Sequence, residues 1–299
     1  MDIEFREIEL SNQEEIAMYY YKEQSRGCTA TFTNNYLWSP YYAVTYAIVE
    51  NMLLLCSNEK KLSFTFPAGR DHLKEAMDWM IDYFDSKQLE FRMHLVTAEQ
   101  FARLEELYPN KFRIEYDRDV ADYLYEVEKL STLAGKKLHG KRNHINKFKG
   151  EYPDWVYEKI TKENKEECYT MLRKWSIDNE CEQDEEKLKE LRVSENELMY
   201  MEELHLVGGL IRLQPEGEVI AFSIGEPCSS DTFVIHIEKA FAHIQGAYPM
   251  MNQQFLIHEA GDYQYVNREE DAGVEGLRKA KLSYRPAFLE EKGIVTRKL

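Results

Sequence analysis

The stretch on which the fold turns is Leu206–Lys239, LVGGLIRLQPEGEVIAFSIGEPCSSDTFVIHIEK, with Gly246-Ala247-Tyr248 following after a short loop. It breaks into three runs rich in β-branched and aromatic residues: Leu206–Leu213, Glu218–Gly225 and Thr232–Lys239. Gln214-Pro215-Glu216-Gly217, between the first two, has the composition of a tight turn. Three such runs in succession predict an antiparallel meander. Gly246 marks a break. The residues after it predict a helix over Tyr248–Ala260, a strand over Tyr263–Asn267, a helix over Glu275–Tyr284 and a strand over Phe288–Arg297.

Upstream of the meander, a strand is expected over Trp155–Ile160 and helices over Lys165–Asp178 and Asp184–Leu204. The first half of the chain repeats this order. A strand-like Glu4–Leu10 precedes a helix opening at Ser11, with Glu14 three residues on. The uncharged, aromatic segment from Gly27 reads as a loop leading into a strand. Strands Ala43–Val49 and Met52–Cys56 then flank a Glu50-Asn51 turn, and a third run covers Leu62–Phe66. Helix Asp71–Phe84, strand Glu90–Val96, helix Ala98–Leu107 and strands near Phe112–Tyr116 and Asp122–Val127 complete it. This order resembles the GNAT acyltransferase fold, and it occurs twice. The expectation is an α+β chain of two tandem GNAT (acyl-CoA N-acyltransferase-like) domains, with mixed central sheets flanked by helices. The first covers residues 1–128; the second, 129–299, begins with a basic connecting helix. In that fold a helix start after the third strand offers free N–H groups to an anion, usually a diphosphate. Here those residues are Gly246, Ala247 and Tyr248, with Ala68-Gly69-Arg70 in the first half.

Composition narrows the partners. Against 54 acidic residues stand 38 basic ones, a net charge of −16 over 299 residues. Such a chain is not a general DNA-coating or polybasic membrane protein. The five cysteines include no CxxC pair, so neither a disulfide framework nor a cysteine-rich zinc site is expected, and a reducing cytoplasmic setting fits. No transmembrane segment is expected: Gly27–Val49 is uncharged but contains Asn34, Asn35 and Pro40. The sharpest shift is at Lys129–Lys149, which holds seven basic residues and no acid. Without it the chain has 31 basic against 54 acidic residues, a net of −23. That strip reads as a clamp for a phosphorylated carrier, with Lys141, Arg142 and His144 supplying directional donors. It reads equally as a solvated linker helix.

A second constellation lies at the expected end of a strand and the start of a helix. Glu269 and Asp271 are candidate general bases, Asn267, Arg278, Lys279 and Lys281 candidate anion ligands, and Glu238 a candidate anchor for a substrate amine. The same residues also suit an acidic loop capping a helix. The eight histidines form no HExxH or other ligand pattern, so no metal is expected, and no nucleophile elbow or nucleotide-triphosphate loop is present.

Four segments resemble a bacterial family that shares the C-terminal domain of phosphatidylglycerol lysyltransferase: Thr31–Trp38, Lys136–Phe148, Glu238-Lys239-Ala240, and Asn267 through Pro286. That family is similar to Fem-type peptidyltransferases. The resemblance implies acyl or aminoacyl transfer to an amine or hydroxyl, with acyl-CoA or aminoacyl-tRNA as co-substrate and no tightly bound cofactor. The expected partner is coenzyme A or the acceptor end of a tRNA. The usual GNAT phosphate loop, Gln/Arg-x-x-Gly-x-Gly/Ala, is not intact, because Gln245-Gly246-Ala247 has a different spacing. The sequence has no multi-span membrane segment, so a lipid acceptor is not expected. A module that binds coenzyme A, a nucleotide or an RNA end without chemistry is the alternative.

Overall fold

The computed structural model describes residues 3–214 and 217–298. The turn expected at Pro215-Glu216 lies outside the described residues, as do Met1, Asp2 and Leu299. In chain order the elements are β1 (Arg6–Glu7), α1 (Gln13–Glu23), α2 (Phe32–Tyr42), β2 (Val44–Val49), β3 (Met52–Ser57), β4 (Ser63–Phe64), α3 (Leu73–Ser86), β5 (Arg92–Thr97), α4 (Ala98–Leu107), β6 (Phe112–Glu126), α5 (Val127–Thr132), α6 (His139–Glu151), β7 (Val156–Lys159), α7 (Lys165–Asp178), α8 (Glu185–Met199), β8 (Val207–Leu213), β9 (Glu218–Pro227), β10 (Thr232–Ala240), α9 (Ala247–Glu259), β11 (Tyr265–Asn267), α10 (Glu275–Ser283) and β12 (Phe288–Arg297). Mixed strands are flanked by helices, as the sequence reading expects. The chain divides into two compact units, the first made of Met1–Tyr123, Glu270–Arg278 and Leu289–Leu299, the second of Leu124–Glu269 and Lys279–Phe288.

In the first unit the hairpin β2–β3 turns at Glu50 and Asn51, both with positive φ, as a two-residue turn between right-twisted strands demands. Met52, Leu53, Leu54 and Leu55 are all buried, so β3 is covered on both faces. The apolar stripe Ala76, Met77, Met80, Ile81 and Phe84 of α3 joins Phe64, Phe66, Phe91, Met93 and Phe112 in one core. Burying a side chain such as Phe84 contributes about 1.5–3 kcal/mol. The structure differs from the expectation in three places. Gly27–Val49 is not a loop and strand: α2 fills its middle. Thr31 caps this helix by accepting from the Asn34 N–H, and Phe32 stacks on Tyr36 one turn away. Several of its residues are buried, and burial is why the segment carries no charge. Ser11 does not open α1: it lies in a 3-10 turn, Leu10–Asn12, closed by the Glu9 N–H donating to Asn12 Oδ1, and α1 follows from Gln13. The two strands expected near residues 112 and 122 are one fifteen-residue strand, β6.

In the second unit the last residues of β6 lead a sheet ordered β6-β11-β10-β9-β8-β7. The expected meander β8-β9-β10 is present and antiparallel. Gly209 of β8 has a physical reason: a Cβ there would lie 2.0 Å from the Tyr157 hydroxyl, so only glycine lets that ring cross the strand. β10 and β11 are parallel, but they pair only over Thr232–Val234 with Tyr265–Asn267. β11 ends at Asn267, opposite Val234, and β10 carries a bulge against β9 between Ile235 and Ile237 that leaves His236 unopposed. On its β9 side the second half of β10 stays paired through Ala240, and on the other side it faces the loop leaving β11.

Candidate functional site

Arg268, the first residue after β11, meets Glu238 near the end of β10. Arg268 Nη2 donates to Glu238 Oε1 at 2.8 Å, and Asn252, from α9, donates its Nδ2 to Glu238 Oε2 at 2.8 Å. The pair is about nine-tenths buried. The Arg268 guanidinium lies 4.7 Å from the Tyr284 ring centroid and 5.7 Å from that of Tyr125. Lys141, at the start of α6, places Nζ 3.7 Å from the Tyr284 centroid. Two buried atoms of this cluster have no hydrogen-bond partner among the described residues: Arg268 Nη1, a donor, and Asn252 Oδ1, an acceptor. A buried polar atom left unpaired costs about 1–3 kcal/mol, so a ligand that supplies both partners gains from both. Burial, then the adjacent Arg268 charge, pull the Lys141 ammonium down to about 8, with Glu238 opposing.

The loop after β11 is held rigidly. Asn267, wholly buried, accepts the Glu269 N–H on Oδ1 at 2.7 Å. Lys281 reaches back from α10 and donates to the carbonyls of Arg268 and Glu269. Glu269 is consequently fixed in the left-handed region at φ 57. Its carboxylate sits 2.9 Å from His236 Nδ1, whose Nε2 is 3.0 Å from Glu226. Burial works against charge on this imidazole, but hydrogen bonds to the two carboxylates prevail and hold it well above its ordinary value. Glu197, from α8, is buried beside them with Oε2 unpartnered among the described residues. Burial pushes its carboxyl up to about 8.

The remaining sequence candidates go elsewhere. Asp271 lies in the first unit, fully buried, and binds Arg278 through both oxygens, Arg118, the Tyr123 hydroxyl and the Gly273 N–H. Burial opposes its ionisation, yet the Arg278 and Tyr123 hydrogen bonds hold it well below the carboxylate range. A carboxylate so fully engaged is a poor base, and Arg278, shared with Asp119, is not presented to an outside anion. Arg142 turns back to the Leu133 and Gly135 carbonyls, fastening the loop before α6. His144 and Lys279 are exposed. The expected diphosphate cradle is covered. Gly246, at φ 91, packs so tightly on α6 that a Cβ would stand 2.5 Å from the His144 carbonyl oxygen. The Ala247 N–H bonds to Ile244, Pro249 has none to give, and the Tyr248 hydroxyl accepts from Trp175.

Sequence reasoning missed Asn252, Tyr284 and the side chain of Arg268. The signal for Asn252 was the run of three amides, Asn252-Gln253-Gln254, in the middle of α9 between Met251 and Phe255. Among the described residues, Cys28, Asp122 and Glu270 have ligand-type atoms near enough to one another for a metal ion. Lys292 Nζ, however, stands 2.7 Å from Asp122 and 3.7 Å from Cys28 Sγ, so an ammonium fills the cationic position.

Known proteins share the sequence and fold of this chain to differing degrees. A conserved protein of unknown function from Bacteroides thetaiotaomicron is 36% identical, with a TM-score of 0.92 over 99% of this chain and 100% of the other. L-PGS from Bacillus licheniformis shares the fold at 13% identity, with a TM-score of 0.67 over 98% of this chain and 93% of its own. An uncharacterized protein of Mycoplasmoides gallisepticum is 26% identical over 248 residues, 80% of this chain and 76% of its own. Residues 22–295 match the family model described as phosphatidylglycerol lysyltransferase, C-terminal, and the chain belongs to that family.

Proposed function

We propose that this chain transfers an aminoacyl or acyl group from an activated carrier to an amine or hydroxyl, and that the 129–299 half carries the chemistry. Family membership supports the reaction class. The observation that carries the reading is the Glu238–Arg268–Asn252 cluster, with a buried donor and a buried acceptor left open side by side. Arg268 Nη1 suits the carbonyl oxygen of the donor, where negative charge develops in the transition state. Asn252 Oδ1, next to Glu238, suits an N–H of the transferred group or of the acceptor.

Between the two donors, the aminoacyl ester of a tRNA is the better match. Coenzyme A needs a place for its diphosphate, and the α9 start is packed under α6. An RNA end needs cationic surface, and Lys136, Lys137, Lys147 and Lys149 are exposed along one segment. The test is transfer from mixed labelled aminoacyl-tRNAs, and in parallel from short-chain acyl-CoAs, to a panel of amines and alcohols. Turnover from the tRNA ester, reduced at least about 100-fold in Glu238→Gln, is expected. Turnover from acyl-CoA alone would reverse the donor assignment. Tight binding of either carrier without turnover would make the chain a binding module.

A further inference from the structure

We propose that Lys141 is the general base of the transfer, which rests on the reaction class proposed above. The carboxylates that the sequence offers for this task are committed: Asp271 to Arg278 and Tyr123, Glu269 to His236, Glu238 to Arg268 and Asn252. Lys141 is not. It is half-buried, its Nζ rests on the Tyr284 ring, and among the described residues it makes no ion pair. The charged and titratable groups around it are Arg268 from the loop after β11, Glu238 from β10 and Tyr284 from the end of α10. Tyr125 of β6 packs in turn on Tyr284. Glu238 is shared with Arg268, so the two cations meet one carboxylate, and partial burial next to a guanidinium favours the neutral amine. An amine held down to about 8 is about one-tenth neutral at pH 7, roughly three hundred times more than an ordinary lysine, and still basic enough to take a proton.

The step balances without further reagents. The acceptor nitrogen or oxygen bonds to the donor carbonyl carbon, and its proton passes to neutral Lys141 Nζ. The tetrahedral adduct then expels the ribose oxygen, or the thiol sulfur, as the carbonyl bond to it breaks. The proton on Nζ goes to that leaving atom, and Lys141 is neutral again. Arg268 Nη1 carries the oxyanion between the two events.

Trace acetylation followed by peptide mass spectrometry across pH tests this without any substrate. The Lys141 labelling rate should reach half-maximum near pH 8, against about 10.4 for an ordinary lysine amine. Arg268→Met should move that midpoint up, and Glu238→Gln should move it down. A Lys141 midpoint at the ordinary value, or one unmoved in both variants, overturns the proposal whatever the enzyme does. With turnover in hand, Lys141→Met and Lys141→Arg should each lose about 10²–10⁴-fold, because arginine keeps the charge but cannot release its proton. A Lys141→Arg protein at wild-type rate overturns the base role and leaves the reaction standing. A wild-type chain that transfers nothing from either donor removes the reaction, and the base with it.

Discussion

Glu197 shows what one buried carboxyl does to the stability of this chain. Its folded value, about 8, lies above the ordinary 4.5 because burial penalises the charged form. The folded state therefore holds a proton that the unfolded state releases. The stabilisation is complete below about pH 4.5 and is lost as pH rises to about 8, on the order of 1.4 kcal/mol per unit. Glu197→Gln mimics the protonated form at every pH. In urea denaturation the variant should gain on the wild type steadily from pH 5 to 8. A difference that stays flat with pH would mean that Glu197 is ionised in the fold. Residues of this kind are hard to read beforehand. Nothing about Glu197 in a helix with several other glutamates marks it as the buried one; its environment comes from β9, β10 and the loop after β11.

Elements were far more legible than environments. α4, α7 and β12 fall on their expected bounds, because each combines a clear period with capping or turn residues at its ends. α2 was illegible for the opposite reason: its aromatic residues point in several directions, so no apolar stripe repeats every three or four positions. The α9 start was recognised as an element and misjudged as a surface. A positive-φ glycine before a helix signals either an anion cradle or a close helix crossing, and only the position of α6 decides between them. Gly246→Ala checks the crossing. The new methyl meets backbone at His144 in a conformation that L side chains rarely adopt. A loss of about 1–3 kcal/mol in unfolding free energy is expected. An unchanged denaturation midpoint would mean that α6 does not sit on α9.

For the whole molecule, charge makes the most direct prediction. A net of −16 opposes any polyanion, so the RNA end proposed as donor would have to be held locally by the cationic stretch before and along α6. Single-stranded RNA affinity should fall with salt at a slope of about 0.7 per phosphate contact. Replacing exposed Lys136 and Lys137 by alanine should reduce that slope by about 1.4 if both contact phosphate, and a slope unaffected by the pair would move the RNA elsewhere. The candidate site was only partly legible at this scale. Glu238, Lys141, Asn267 and Glu269 were singled out because polar groups stood at strand ends or in a charge-shifted strip, whereas Arg268 between the last two was passed over. Asn252 and Tyr284 come from distant helices, and only the closed fold brings them to Arg268.

The path of the chain through its two units has a consequence for biosynthesis. β12 pairs with β5, so the first unit lacks a strand until Phe288–Arg297 have been synthesised. Through most of translation the earlier residues wait with one side of β5 open to stray pairing, an invitation to chaperones. Completion waits for β12, so a product truncated before Phe288 would be left with an unfinished sheet.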